Sequence, residues 1–70
     1  MSTRRYNIPA GKSATVHNAG TEPAEIYVGD PPELEHVLQP KKSHIIPPPP
    51  NNGAWNIKIA NYSDCTVDIQ

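Results

Sequence analysis

Apolar residues recur at every second position in several short stretches of this chain, a period that suits half-buried β-strands and not helices. Tyr6 and Ile8 alternate with Arg5 and Asn7, Ala14 and Val16 with Thr15 and His17, and Ala24, Ile26 and Val28 with Glu25 and Tyr27. Successive side chains of a strand point to opposite faces, so each set offers one apolar face to a core. The pattern is clearest in the C-terminal third. There Trp55, Ile57 and Ile59 share a face, Asn56 and Lys58 take the other, and Cys65, Val67 and Ile69 repeat the alternation. These two stretches are expected to pair as a hairpin through Asn61-Tyr62-Ser63-Asp64, whose small polar side chains can bond their own backbone.

Proline, glycine and asparagine punctuate the gaps. Asn18-Ala19-Gly20-Thr21 is expected to turn the chain after Val16, and Asn51-Asn52-Gly53 to return it into the Trp55 strand. Ile8, Lys12, Ser13 and Val16 are echoed thirty residues later by Leu38, Lys42, Ser43 and Ile46, which suggests two related hairpins. Asp30-Pro31-Pro32-Glu33 has the form of a helix start, with Asp30 as N-cap and Glu33 completing a capping box. Leu34, Val37 and Leu38 follow at helical spacing, although Pro40 stops the segment and an edge strand ending at Leu38 is the alternative. The preferred reading is a short helical turn near 31–38 followed by strand. Pro47-Pro48-Pro49-Pro50 must be extended and cannot donate to a sheet ladder, so it leaves the sheet as a stiff arm or edge. The chain therefore reads as all-β: one domain over residues 1–70, a six- to seven-stranded antiparallel β-sandwich of jelly-roll or Ig-like type, with a proline-rich arm at 47–50.

Seventy residues stand near the lower limit for independent folding, where a chain buries only about 60% of its unfolded surface. Such domains usually add disulfides, metal or subunit contacts. Cys65 is the only cysteine, so no intrachain disulfide exists, and a lone thiol fits a reducing compartment, the cytoplasm or a virion, better than a secreted setting. Subunit contact becomes the leading staple, and a homo-oligomer is expected. Six basic and seven acidic residues, for a net charge of −1, give no field suited to a nucleic acid polymer. No run of eighteen apolar residues suggests a membrane span, and no apolar run follows Arg4 and Arg5 to make a signal peptide.

Gly11-Lys12-Ser13 matches the end of a phosphate-binding loop, but Tyr6 stands where that motif needs its first glycine, and a strand follows instead of a helix. His17, His36 and His44 show no close-spaced ligand pair with each other or with Cys65, so no metal and no cofactor is expected. Nothing in the sequence places a nucleophile, a base and an orienter together, and no enzyme is expected. Two groups of residues remain as candidates. Tyr27, Tyr62, Trp55, Asn51 and Asn52 can stack on and hydrogen-bond a glycan or nucleotide. Pro47, Pro48, Pro49 and Pro50, with Arg4 and Arg5, can serve as contact arms between subunits. The functional expectation is a non-catalytic structural or assembly module that oligomerises or decorates a larger protein assembly, with virion accessory proteins as one natural class. The alternatives are an oligomeric small-ligand module and an inhibitor that presents a turn or sheet edge to a larger host protein.

Overall fold

The alternating stretches form seven strands: β1 (Thr3–Ile8), β2 (Ala14–Asn18), β3 (Ala24–Val28), β4 (Glu33–Leu38), β5 (Ser43–Ile46), β6 (Trp55–Ala60) and β7 (Cys65–Ile69). The structure, a computed structural model, describes residues 2–50, 53–61 and 64–70. Two antiparallel sheets result, one of four strands in the order β1-β6-β3-β4 and one of three in the order β5-β2-β7. Both contribute to a single apolar cluster. Ile8, Ala24, Ile26, Val28, Leu38, Ile57 and Ile59 come from the first sheet, and Ala14, Val16, Ile46 and Cys65 from the second. Tyr6, Trp55 and Val67 pack at its margin.

Two sequence expectations are corrected. The segment near 31–38 is not a helical turn: residues 29–32 form a turn and β4 follows as an edge strand paired with β3. Helical spacing gave way to the open edge of β3, along which Leu38 sits opposite Ala24 with both fully buried. Gly29 adopts φ 99° in this turn, a conformation that glycine reaches without steric cost, and its N–H donates to the Asn56 carbonyl at 2.9 Å. Nor do β6 and β7 pair as a hairpin. Both edges of β6 are already occupied, by β1 and β3, and β7 pairs with β2 in the other sheet. Alternation fixes which side of a strand faces the core but not which strand lies beside it.

The echo at thirty residues has a structural counterpart, though not as two hairpins. Each copy is a strand, a tight corner and a second strand that crosses into the other sheet. In the corners, Lys12 N–H donates to the Pro9 carbonyl and Lys42 N–H to the Gln39 carbonyl, both at 3.2 Å. The preceding residues, Gly11 and Lys41, have φ of 76° and 66°. The β2–β5 register obeys the same relation, because adding thirty to Ala14 and subtracting thirty from its partner Ile46 gives His44 and Val16, another pair of the ladder. Exchanging β1 with β4 and β3 with β6 likewise leaves the four-stranded order unchanged. The likeness ends at the prolines. His17 and Asn18 continue β2 and pair with β7, whereas the corresponding positions after β5 are Pro47 and Pro48, which lack the N–H a further strand would need.

Candidate functional site

The outer face of the four-stranded sheet carries a set of interacting polar and aromatic side chains. Its registers line up Arg5, Lys58, Tyr27 and Leu34 in one row across all four strands. Lys58 Nζ sits 4.5 Å from the centre of the Tyr27 ring, a cation–π arrangement. The Tyr27 hydroxyl donates to Glu25 Oε1 at 2.9 Å, and this bond, with desolvation and the Glu25 charge, raises the phenol pKa above its ordinary value. Tyr27 therefore keeps its proton as a donor. In the next row Asn7 Nδ2 donates to Asn56 Oδ1 at 3.1 Å.

Two shallow concavities flank the turn at 29–32. The first, about 410 Å³, brings Arg5, Asn7, Asn56 and Lys58 together beside Asp30. Two cations and two amides suit an anionic or hydroxyl-rich small molecule better than an apolar one. The second, about 380 Å³, is lined by Trp55 with Asp30, Glu33, Leu34 and Glu35. Trp55 Nε1 is buried there without a hydrogen-bond acceptor. Tyr27 and Trp55 thus do not form a common stacking platform: the tyrosine is engaged by its own sheet neighbours, and the tryptophan packs against the core edge. Asn51, Asn52 and Tyr62 lie outside the described residues.

Of the expected interface residues, Arg4 and Arg5 are exposed on β1, an edge strand. Pro47, Pro48 and Pro50 are exposed while Pro49 is buried, so the proline run is anchored at one position and open at three. The opposite edge of the four-stranded sheet, β4, exposes Leu34 by 53% and Val37 by 39%, and β5 exposes Ile45 by 64%. The rings of His36 on β4 and His44 on β5 stack 3.9 Å apart and 6° from parallel, which brings the two edge strands into contact at that point. Helical spacing over 31–38 hides Leu34 and Val37 as edge residues, and nothing local marks Ile45, next to the buried Ile46, as exposed. As an edge strand, the same stretch leaves Leu34 and Val37 in solvent.

Burial and the neighbouring His36 lower the pKa of His44, with Glu35 opposing them. A histidine whose folded pKa lies below its unfolded value adds stability above the unfolded pKa, near 6.5, and that stability is lost as pH falls through the folded value. Thermal melts between pH 8 and pH 5.5 are therefore expected to show a midpoint that drops on acidification. The drop should be smaller in His44→Gln, and an equal drop in both proteins would contradict this account of the stack. His17 stands apart from this pair, its Nδ1 2.7 Å from Ser43 Oγ. Burial, with the Asp64 charge, pushes the Cys65 thiol pKa up, which keeps it protonated and a poor nucleophile. Among the described residues no three His, Cys, Asp or Glu side chains converge as a metal-ion group.

Asn18 was read from the sequence only as a turn residue, and the structure gives it a larger part. It is 2% exposed. Its Nδ2 donates to the Glu22 and Leu38 carbonyls at 2.7 and 3.1 Å, and its Oδ1 accepts from Gly20 N–H at 2.9 Å. Through these bonds it holds the crossing from β2 to β3 against the end of β4.

Searches against protein-family models, curated proteins and solved structures find no match to this chain.

Proposed function

We propose that this chain is a non-catalytic assembly module, a small β-sandwich that joins further copies of itself or a larger protein assembly through its sheet edges. The observation that carries the reading is the exposure of Leu34 and Val37 on β4 and of Ile45 on β5, the edge strands of the two sheets, which touch through the His36–His44 stack. An open edge presents unpaired backbone N–H and C=O groups, and soluble monomers usually blunt it with charge, proline or a cover. Apolar side chains flanking an open edge favour a partner that covers both the backbone and the side chains.

The sandwich assignment is supported by the one apolar cluster to which both sheets contribute. The frequent crossing of successive strands between sheets favours a jelly-roll-like path over the Ig order, in which the first two strands are neighbours. A subunit of this size with little core of its own gains stability from each contact it makes, which suits a repeated component of a larger shell such as a virion accessory protein. The exposed prolines lend the contact a rigid surface and, lacking N–H groups, turn strand addition away from the end of β5.

Leu34→Lys combined with Val37→Lys is expected to shift the protein to monomer at concentrations where the wild type associates, with its circular dichroism unchanged. Both side chains are exposed, so the fold does not depend on them. Association undiminished in the double variant, measured by light scattering after size exclusion, would remove the support for this edge.

A further inference from the structure

Resting on the assembly reading above, we infer that copies join head to tail, the β4 edge of one copy adding to the β1 edge of the next so that the four-stranded sheet continues across the contact. Strand direction permits this. Every neighbouring pair in β1-β6-β3-β4 is antiparallel, so β1 and β4 run in opposite directions within one sheet. A second copy placed in the same orientation beside β4 therefore brings its β1 alongside as an antiparallel neighbour, the geometry that the rest of the sheet already uses.

The registers say which side chains meet. Arg5, Lys58, Tyr27 and Leu34 stand level across the sheet, and extending that row without a shift sets Arg5 of the next copy beside Leu34. Glu33 and Glu35 flank Leu34 in the chain, both exposed, and the register shift in β4 leaves Glu35 without a counterpart on β3. The incoming arginine can thus lay its methylene stem over Leu34, while Glu33 and Glu35 give the β4 edge a negative charge that faces the positively charged β1 edge of the next copy. Arg4 of the next copy adds a second positive charge one position along.

Symmetric pairings are opposed by the same charges. A two-fold contact of β4 with β4 centred on Leu34 sets Glu33 of each copy against Glu35 of the other, and one of β1 with β1 centred between Arg4 and Arg5 sets Arg4 of each against Arg5 of the other. Like charges directly opposite on paired strands are destabilising. Of the pairings between these two edges, β4 with β1 is the complementary one, and because the two surfaces differ, the contact is heterologous and propagates into a ring or a filament.

Charge reversal with mixing tests this. Sedimentation velocity would be run on the wild type, on Arg5→Glu, on Glu33→Lys/Glu35→Lys, and on an equimolar mixture of the two variants. Each variant alone is expected to need at least about tenfold higher concentration to associate, since it sets like charge against like. The mixture is expected to recover wild-type association, because each variant's β4 then finds an oppositely charged β1, and a misfolded variant would show no such recovery. Arg5→Gln, which removes the charge without reversing it, should weaken association by a smaller factor and covers the case in which a reversal unfolds the strand. A wild type that associates while Arg5→Glu and Arg5→Gln associate equally well overturns the head-to-tail contact and leaves self-assembly standing. Folded variants that stay apart in the mixture overturn it too. A wild type that remains monomeric overturns self-assembly, and the head-to-tail contact with it, and leaves only docking on a different protein.

Discussion

Asn18→Ala is expected to lower the unfolding free energy by about 3 kcal/mol, the scale of leaving buried hydrogen-bonding groups without partners. The substitution removes the acceptor of Gly20 N–H and the donor to the carbonyls of Glu22 and Leu38. The backbone of Asn18 keeps its own bonds, its N–H donating to the Lys42 carbonyl at 3.0 Å and its carbonyl accepting from Lys41 N–H at 2.7 Å. The loss is therefore confined to the crossing from β2 to β3 and its tie to β4. Asn18→Asp keeps the acceptor for Gly20 but turns the amide donor into a carboxylate facing two carbonyl oxygens, so it should be no milder. Urea denaturation followed by circular dichroism measures the effect. A loss well under 1 kcal/mol would mean that solvent reaches this position and that the amide is not the tie described.

Ile59→Ala is expected to cost about 3 to 4 kcal/mol, in the range found for removing a large aliphatic side chain from a packed core. Ile59 is fully buried on β6, the strand held between β1 and β3, and stands directly opposite Ile26, also fully buried. With strands on both sides β6 cannot move inward to fill the space, so a cavity remains. A small domain has little stability to lose. Ile69→Ala on β7, where the side chain is 36% exposed, should cost far less, and similar losses at the two positions would contradict the core as drawn. Both comparisons are read from denaturation midpoints at constant slope.

The strands were legible because alternation reports burial directly: Ala24, Ile26 and Val28 are buried in the structure, as their spacing implies, and so are Ile57 and Ile59. Partnership was not legible, because it depends on contacts between residues far apart in the chain. Nothing local to 55–69 shows that β1 and β3 occupy both edges of β6. The segment at 31–38 shows the same limit, since a capping box and helical spacing describe a local preference that the open edge of β3 overrode. Two consequences followed for the candidate site. Leu34 and Val37 were assigned to a turn and not to an exposed edge, and Asn18 was assigned to a turn although its side chain is buried among three backbone groups. The echo at thirty residues carried more than its two identities suggested, because Ile8 and Leu38 each close a strand before an equivalent corner.

The central claim is that the edge at β4 is made to be covered by another copy of this chain, and the solution mass of the wild type across a dilution series tests it most directly. Light scattering is expected to give a multiple of the monomer mass at high concentration, falling toward the monomer on dilution, with the apparent melting temperature falling alongside because association stabilises the folded subunit. A monomer of constant mass and constant melting temperature up to millimolar concentration would contradict self-assembly.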